Sequence, residues 1–352
     1  MPHLKFFNEI SKNNVAEAGG KGASLGEMAN TGIPVPPGFV VLASAFDRFL
    51  EETDLNAEIS ARLKEVNVAD VNSIDKASAV IRDAIHDHAM PKDLEVEILA
   101  AHAKLSGDSS SASGLARNDN DFLVAVRSSA TAEDSAVASW AGELETYLNT
   151  PAEQVVERVK ECWSSLFTPR AIFYRHEKNL IDHYVSVAVV VQTMVQSEVS
   201  GIAFTVHPVT EDRDQMIIEA GFGLGEAIVG GQITPDSYIV SKSELSILDI
   251  NVATQTRKLV GKKLVGNALA RSAKSDLLVD SGEGKRNEWG NISESEGTKQ
   301  KLSGKEIIEA AKIFINIEKH YGFPCDIEWA KVGSKFYITQ SRPITTLNRT
   351  TN

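Results

Sequence analysis

The chain has 352 residues, 42% hydrophobic and 24% charged, an ordinary globular composition long enough for two or more cores. Its formal charge of −12 argues against general binding to nucleic acid or to an anionic membrane, and still leaves room for a local basic pocket. The two cysteines, Cys162 and Cys325, give neither zinc spacing nor a disulfide framework, which suits a reducing, cytoplasmic setting. Met1 to Asn13 are polar and mixed, so no secretory leader is expected. The longest apolar run, Val185 to Val191, is far too short to span a bilayer.

The first informative stretch is residues 15–38, VAEAGGKGASLGEMANTGIPVPPG. Gly19 and Gly20 precede Lys21, and a helical pattern follows from Ala23 to Ala29. A glycine pair before a helix lets backbone approach a ligand closely, with Lys21 as a point charge for phosphate. The spacing is not a Walker loop, and a lysine after two glycines is also an ordinary turn residue. Phe39 to Val41 reads as a strand, and residues 44–105 as mostly helical. His86 and His88 lie two apart and read as surface residues. Gly107 to Asp121 is rich in Ser, Asn, Asp and Gly and reads as an exposed loop.

Leu123 to Leu148 is the stretch around which the rest is organised. Leu123 to Val126 is a short buried strand that stops at Arg127. Behind it Ser128, Ser129, Thr131, Ser139 and Gly142 form a small, hydroxyl-rich loop. Such a loop can lay N–H groups and hydroxyls against an anion, and Arg127 adds a planar fork of donors. A solvated serine-rich turn with a surface arginine is the competing reading. Thr150-Pro151-Ala152-Glu153 marks a helix start with an N-cap and a capping box, and Thr168-Pro169 marks another.

From Val185 the period changes to that of strands: VSVAVVVQTMV, meeting a polar residue at Gln192, then 201–206, 215–220, 236–240 and 245–250. GFGLGE (221–226) lacks the last glycine of a dinucleotide fingerprint, because Glu226 stands there. Residues 281–300 read as a polar loop and Gly304 to His320 as an amphipathic helix. Asp326 to Ala330 and Phe336 to Arg342 then alternate around a Gly333-Ser334 turn, as a hairpin. A three-residue loop, Gly333 to Lys335, puts Glu328 opposite Gln340, and Arg342 on the same face. Two oxygens so placed could hold a magnesium ion that also binds phosphates, or form a solvated cross-strand pair.

Five segments stand in a telling order. They are Gly19-Gly20-Lys21-Gly22-Ala23-Ser24-Leu25-Gly26, Pro34-Val35-Pro36-Pro37-Gly38-Phe39, Val126-Arg127-Ser128-Ser129-Ala130-Thr131-Ala132-Glu133-Asp134, Asp326-Ile327-Glu328-Trp329-Ala330 and Gln340-Ser341-Arg342-Pro343. With them the chain, from about Phe7 to Thr345, closely resembles the N-terminal nucleotide-binding domain of phosphoenolpyruvate synthase and pyruvate, phosphate dikinase. Rifampin phosphotransferase is similar to both. The resemblance implies an α+β, ATP-grasp architecture, with ATP between an N-terminal lobe (1–200) and a C-terminal lobe (201–346), and 347–352 as a tail. It implies that Lys21 and Arg127 hold phosphates and that Thr131 and the loop from Gly142 to Thr146 belong to the ATP site. Gln192 would lie by the adenine, Glu328 and Gln340 would bind Mg2+, and Arg342 would meet the phosphates. One departure is Gly142-Glu143-Leu144, where many relatives carry Gly-Gln-Gln; a carboxylate near phosphates is unfavourable unless a cation offsets it.

The resemblance also implies a phosphotransferase that passes the β-phosphate of ATP, as a pyrophosphoryl group, to a histidine on another domain and releases AMP. None of the eight histidines lies in the family's carrier motif, so the carrier domain is expected as a separate partner or as an excised part. His207, after the strand 201–206, reads as a turn residue. The alternatives are an ATP-binding sensor or scaffold, which has no need of a metal pair, and a stand-alone ATP-grasp kinase such as an antibiotic phosphotransferase module.

Overall fold

The computed structural model describes residues 2–109, 122–131, 145–178, 180, 185–262, 287–345 and 347. It is an α+β protein built on two antiparallel sheets. In chain order, β1 (Leu4–Phe6) leads to α1 (Val15–Asn30), β2 (Gly38–Val41) and the helices α2 (Ala43–Glu52), α3 (Leu55–Lys64), α4 (Val71–Asp87) and α5 (Lys92–Ser109). Then come β3 (Val124–Ala130), β4 (Thr146–Thr150), α6 (Val155–Ser164), α7 (Pro169–Glu177) and β5 (Val187–Thr193). The five strands pair in the order β1-β2-β5-β3-β4.

The second sheet takes β6 (Val199–Phe204), β7 (Gln215–Phe222), a turn of helix α8 (Glu226–Val229), β8 (Asp236–Ser241) and β9 (Ser246–Asn251). A separate two-stranded sheet joins β10 (Arg257–Gly261) to β11 (Asn287–Asn291). After α9 (Glu294–Gly297) and α10 (Gly304–Tyr321), the hairpin β12 (Cys325–Val332) and β13 (Lys335–Pro343) completes the order β13-β12-β6-β7-β8-β9. The α10 start is a capping box: Ser303 Oγ accepts from Glu306 N, and Ser303 N donates to Glu306 Oε2 at 2.8 Å. Gly322, at φ 76°, ends the helix in the left-handed conformation that favours glycine.

All seven residues of β5 are buried, because both faces of the first sheet are covered. Phe39, Val41, Val124, Val126, Val187, Val189 and Val191 point to one face, against the helices α2 to α7. Val40, Leu42, Ala188 and Val190 point to the other and join a core with α1, α10 and the inner face of the second sheet. The period-2 alternation therefore divides one strand between two cores. No helix among the described residues is long and apolar enough to cross a membrane.

Several expectations need correction. The arginine strand does not stop at Arg127; β3 runs to Ala130 with every residue buried, because its serines find partners on both faces. The helix near Lys21 begins at Val15, and the glycine pair lies inside it, at a break. Thr150 is not a helix cap: it ends β4, its hydroxyl donates to Tyr147 O at 3.3 Å, and α6 begins only after a 3-10 turn at Ala152–Gln154. Thr168, by contrast, caps α7, accepting from Ala171 N at 3.2 Å with Pro169 behind it. Within 281–300, residues 287–291 form a strand and 294–297 a helical turn, and 281–286 lie outside the described residues. Residues 107–109 continue α5 rather than opening a loop, and 110–121 lie outside the described residues. His86 is no free surface residue; it bridges α4 to α6 through Glu157 Oε1 and Ser164 Oγ, both at 3.2 Å.

Candidate active site

Strand β3 builds the first wall by alternation. Arg127, Ser129 and Thr131 lie at i, i+2 and i+4 and so share a face. Ser128 points the other way, where its hydroxyl meets Glu145 O at 3.0 Å and Ser165 Oγ at 2.9 Å. The Ser129 hydroxyl sets the geometry of α1. It donates to Ala18 O at 2.9 Å and accepts from Gly22 N at 3.2 Å, bridging a break in the helix. The break is at Gly19, with φ 68° and ψ 172°. A Cβ on Gly19 would stand 2.2 Å from Ser129 Oγ and 2.3 Å from its carbonyl oxygen. Only glycine allows both the dihedral and the approach. The helix restarts beyond the break, which sets Gly20, Lys21 and Ser24 along a cavity.

The hairpin β12–β13 builds the second wall. Glu328 does pair with Gln340, but not for the expected reason. The turn has two residues, Gly333 at φ 56° and Ser334, with Val332 opposite Lys335. An uninterrupted ladder from that turn would pair Glu328 with Thr339. Instead the register shifts between Trp329, opposite Ile338, and Glu328, opposite Gln340. Thr339 is the extra residue of a bulge, which restores the pairing that a three-residue loop would have given.

Arg127 closes the gap between the walls. Its Nη1 donates to the carbonyl of the bulged Thr339 at 2.6 Å. Its Nη2 donates to Gln340 Oε1 at 2.7 Å and to Glu328 Oε2 at 3.3 Å. The Arg127 side chain is 9% exposed and that of Glu328 23% exposed, so the pair is shielded more than a surface ion pair. Arg342 is paired along its own hairpin: Nε and Nη2 both donate to Asp326 Oδ2, at 2.9 and 2.7 Å.

A cavity of about 260 Å³ opens beside this junction. Its lining includes Lys21, Ser24, Thr131, Gln340 and Arg342. Arg127 and Glu328 are joined to that wall through Gln340. Two residues stand apart from the cavity. Thr146 opens β4 and pairs with Arg127 across the ladder. Gln192 is buried on β5 opposite Ala125 and Gly38, donating to Pro36 O at 3.2 Å. Gly142, Glu143 and Leu144 lie outside the described residues. His207 is held as a turn residue, its Nδ1 accepting from Val209 N and Thr210 N, both at 3.2 Å.

The donor set suits a hard cation. Glu328 and Gln340 offer one carboxylate and one amide oxygen, both aimed at a single nitrogen of Arg127. Among the described residues no cluster of three or more His, Cys, Asp or Glu could hold a metal unaided. Magnesium asks for no such cage, since it keeps waters and completes its shell with one or two protein oxygens and phosphates. Sequence reasoning put Ser129 among loop hydroxyls facing an anion, where it instead bridges the break in α1, and it missed the parts played by Asp326 and the Thr339 carbonyl. Their roles rest on contacts across the fold; only the Asp326–Arg342 pair could have been found, from the hairpin register.

The comparisons identify the family of the domain. Residues 15–352 match the family described as pyruvate phosphate dikinase, AMP/ATP-binding domain, and the chain belongs to that family. It is therefore an AMP/ATP-binding domain of the phosphoenolpyruvate synthase and pyruvate phosphate dikinase kind. It is 44% identical over 351 residues to a probable phosphoenolpyruvate synthase of Methanocaldococcus jannaschii, covering 99% of this chain and 27% of that protein. A probable phosphoenolpyruvate synthase of Archaeoglobus fulgidus is 44% identical, with 99% and 42% covered. The phosphoenolpyruvate synthase of Pyrococcus furiosus is 39% identical, with 98% and 44% covered. The chain thus spans less than half the length of these relatives.

Proposed function

We propose that this chain is the ATP-cleaving module of a phosphoenolpyruvate synthase-like phosphotransferase, with an ATP-grasp architecture. The observation that carries the reading is the meeting of Arg127 from one sheet with Glu328 and Gln340 from the other, beside Lys21 and Arg342. The N-terminal lobe (1–200) supplies Lys21, Arg127 and Thr131, with Gly142 over the phosphates and Thr146 behind it at the start of β4. Gln192 lies by the adenine. The C-terminal lobe (201–346) supplies Glu328, Gln340 and Arg342. Lys21, Arg127 and Arg342 neutralise charge that spreads over the phosphate oxygens during transfer, and hold the chain of phosphates in line. Glu328 and Gln340 hold Mg2+, which when bound adds further positive charge at those oxygens. The nucleophile is a histidine on a carrier domain, which takes the pyrophosphoryl group as AMP leaves.

Two measurements test this. Titration calorimetry should give one MgATP site per chain that weakens when magnesium is chelated. With a carrier-domain polypeptide and ATP labelled at the β-phosphate, AMP should form and the partner should carry alkali-stable label. No binding by folded protein at millimolar MgATP would sink the reading. A labelled partner accompanied by ADP would keep ATP binding and remove the pyrophosphoryl step. Label on this chain alone, lost on changing His207, would overturn the division of labour.

A further inference from the structure

One carboxylate on the second sheet has no part in the reading above. Strands β6, β7 and β8 alternate between buried and half-buried residues over Gly201–Phe204, Gln215–Ala220 and Asp236–Val240. Ala203, Met216, Ile218, Ala220, Tyr238 and Val240 are buried in the core shared with α10. Ile202, Phe204, Ile217, Glu219 and Ile239 stand half-buried on the opposite face. The register runs Gln340–Glu328–Ile202–Glu219 across four adjacent strands, so these side chains form one transverse row. Strands lie about 4.8 Å apart, which places Glu219 about 10 Å from Glu328, with Ile202 between them. Glu219 has no hydrogen-bond or ion-pair partner among the described residues, and burial holds its carboxyl above the usual carboxylate range. An unpaired acid on an apolar patch is costly, and the cost is offset where a ligand brings donors.

We infer that Glu219 accepts hydrogen bonds from the ribose hydroxyls of the bound nucleotide; the assignment rests on the nucleotide reading proposed above. The phosphates are placed at the Arg127, Glu328 and Gln340 end of the row. Within about 10 Å of them a nucleotide carries one group with two adjacent hydroxyl donors, the ribose diol. A carboxylate offers two adjacent acceptors, a match that other nucleotide sites use for the same sugar. Ile202, Ile217 and Phe204 give the carbon face of the sugar and the base an apolar floor.

The test compares MgATP with its 2′,3′-dideoxy analogue by titration calorimetry, in the wild-type chain and in Glu219→Gln. The wild type should favour ATP on the order of 10-fold, the low end for a hydrogen bond to a charged group. The variant should lose most of that preference while binding the dideoxy compound as the wild type does. It should also melt no lower than the wild type, since an uncompensated carboxylate is removed. The same preference in both proteins overturns the assignment. So does an unchanged ribose preference with altered discrimination between ATP and inosine triphosphate, which would place Glu219 at the base. Wild-type protein that binds neither nucleotide overturns the nucleotide reading and this assignment with it, a result distinct from tight but ribose-insensitive binding. Should Glu219→Gln fail to fold, Glu219→Asp, whose shorter reach also breaks the contact, carries the same comparison.

Discussion

Arg127 divides its guanidinium among three oxygens of the opposite wall: the Thr339 carbonyl, the Gln340 amide and the Glu328 carboxylate. A lysine keeps the charge but not the planar fork, so it cannot serve three acceptors at fixed angles. Arg127→Lys should therefore fold and weaken MgATP binding by about 10-fold, the loss of one charge-assisted hydrogen bond. Glu328→Gln should weaken it through the metal, with a defect that shrinks as magnesium rises. Because the two side chains touch, their effects should not add. A double-mutant cycle on MgATP affinity should give a coupling of about 0.5–3 kcal/mol, whereas additivity within about 0.5 kcal/mol would mean they act apart. Arg127, Glu328, Gln340 and Lys21 could be singled out because their residue types name a chemistry, and the structure brings the first three into contact. The bridging role of Ser129 was not readable, because a serine hydroxyl says nothing of its partner, and Gly22 lies 107 residues away in sequence. Glu219 was hidden too: alternation shows that it shares a face with Ile217, not that the face looks onto the site.

At the scale of elements, two irregularities do what regular structure could not. The break at Gly19 starts a new helical segment at the cavity, and the bulge at Thr339 frees a carbonyl for Arg127. Gly19→Ala should be costly on two counts, a left-handed φ and a Cβ 2.3 Å from the Ser129 carbonyl oxygen. Backbone cannot yield as a flexible side chain does. A loss of about 2 kcal/mol or more in urea unfolding is expected, with weaker MgATP binding as Lys21 shifts. A variant as stable as the wild type would show that the break is not required. Most strands of the two sheets and α10 were legible from period and capping, because burial enforces the pattern; β1, three residues in a mixed start, and β4, which ends on a Thr150-Pro151 pair that reads as a helix start, were not. The start of α1 was not, since a glycine pair reads as a helix boundary and here sits within a bridged break. The bulge was equally invisible: the right pairing of Glu328 with Gln340 followed from a wrong loop length, and one extra residue in β13 compensated for it. β10 and β11 escaped notice because their sequences, RKLVG and NEWGN, are short and mostly polar, with β11 wholly outside the hydrophobic cores.

Over the whole molecule, the two sheets are not independent. One core joins Val40, Leu42, Ala188 and Val190 of the first sheet to Leu25 and Met28 of α1 and to Met216, Ile218 and Tyr238 of the second. Separating the sheets would expose this apolar surface, at about 25 cal/mol for each Å². The chain should therefore unfold as one cooperative unit. Two buried tryptophans make this measurable. Trp163 packs between Phe46 and Phe49 in the core of the first sheet, with ring centroids at 5.6 and 5.2 Å. Trp329 packs against Phe314 and Phe336 in the shared core, at 6.3 and 5.6 Å. With Trp140 and Trp289 also replaced by phenylalanine, Trp329→Phe leaves the indole of the first core as the fluorophore, and Trp163→Phe leaves that of the second. Within each variant, fluorescence and far-ultraviolet circular dichroism should give the same urea midpoint. A ligand that binds only the folded unit stabilises all of it, so MgATP should raise both midpoints together. A fluorescence midpoint that separates from the circular dichroism midpoint, or that MgATP shifts in one variant alone, would show the two sheets unfolding as separate units despite their common core.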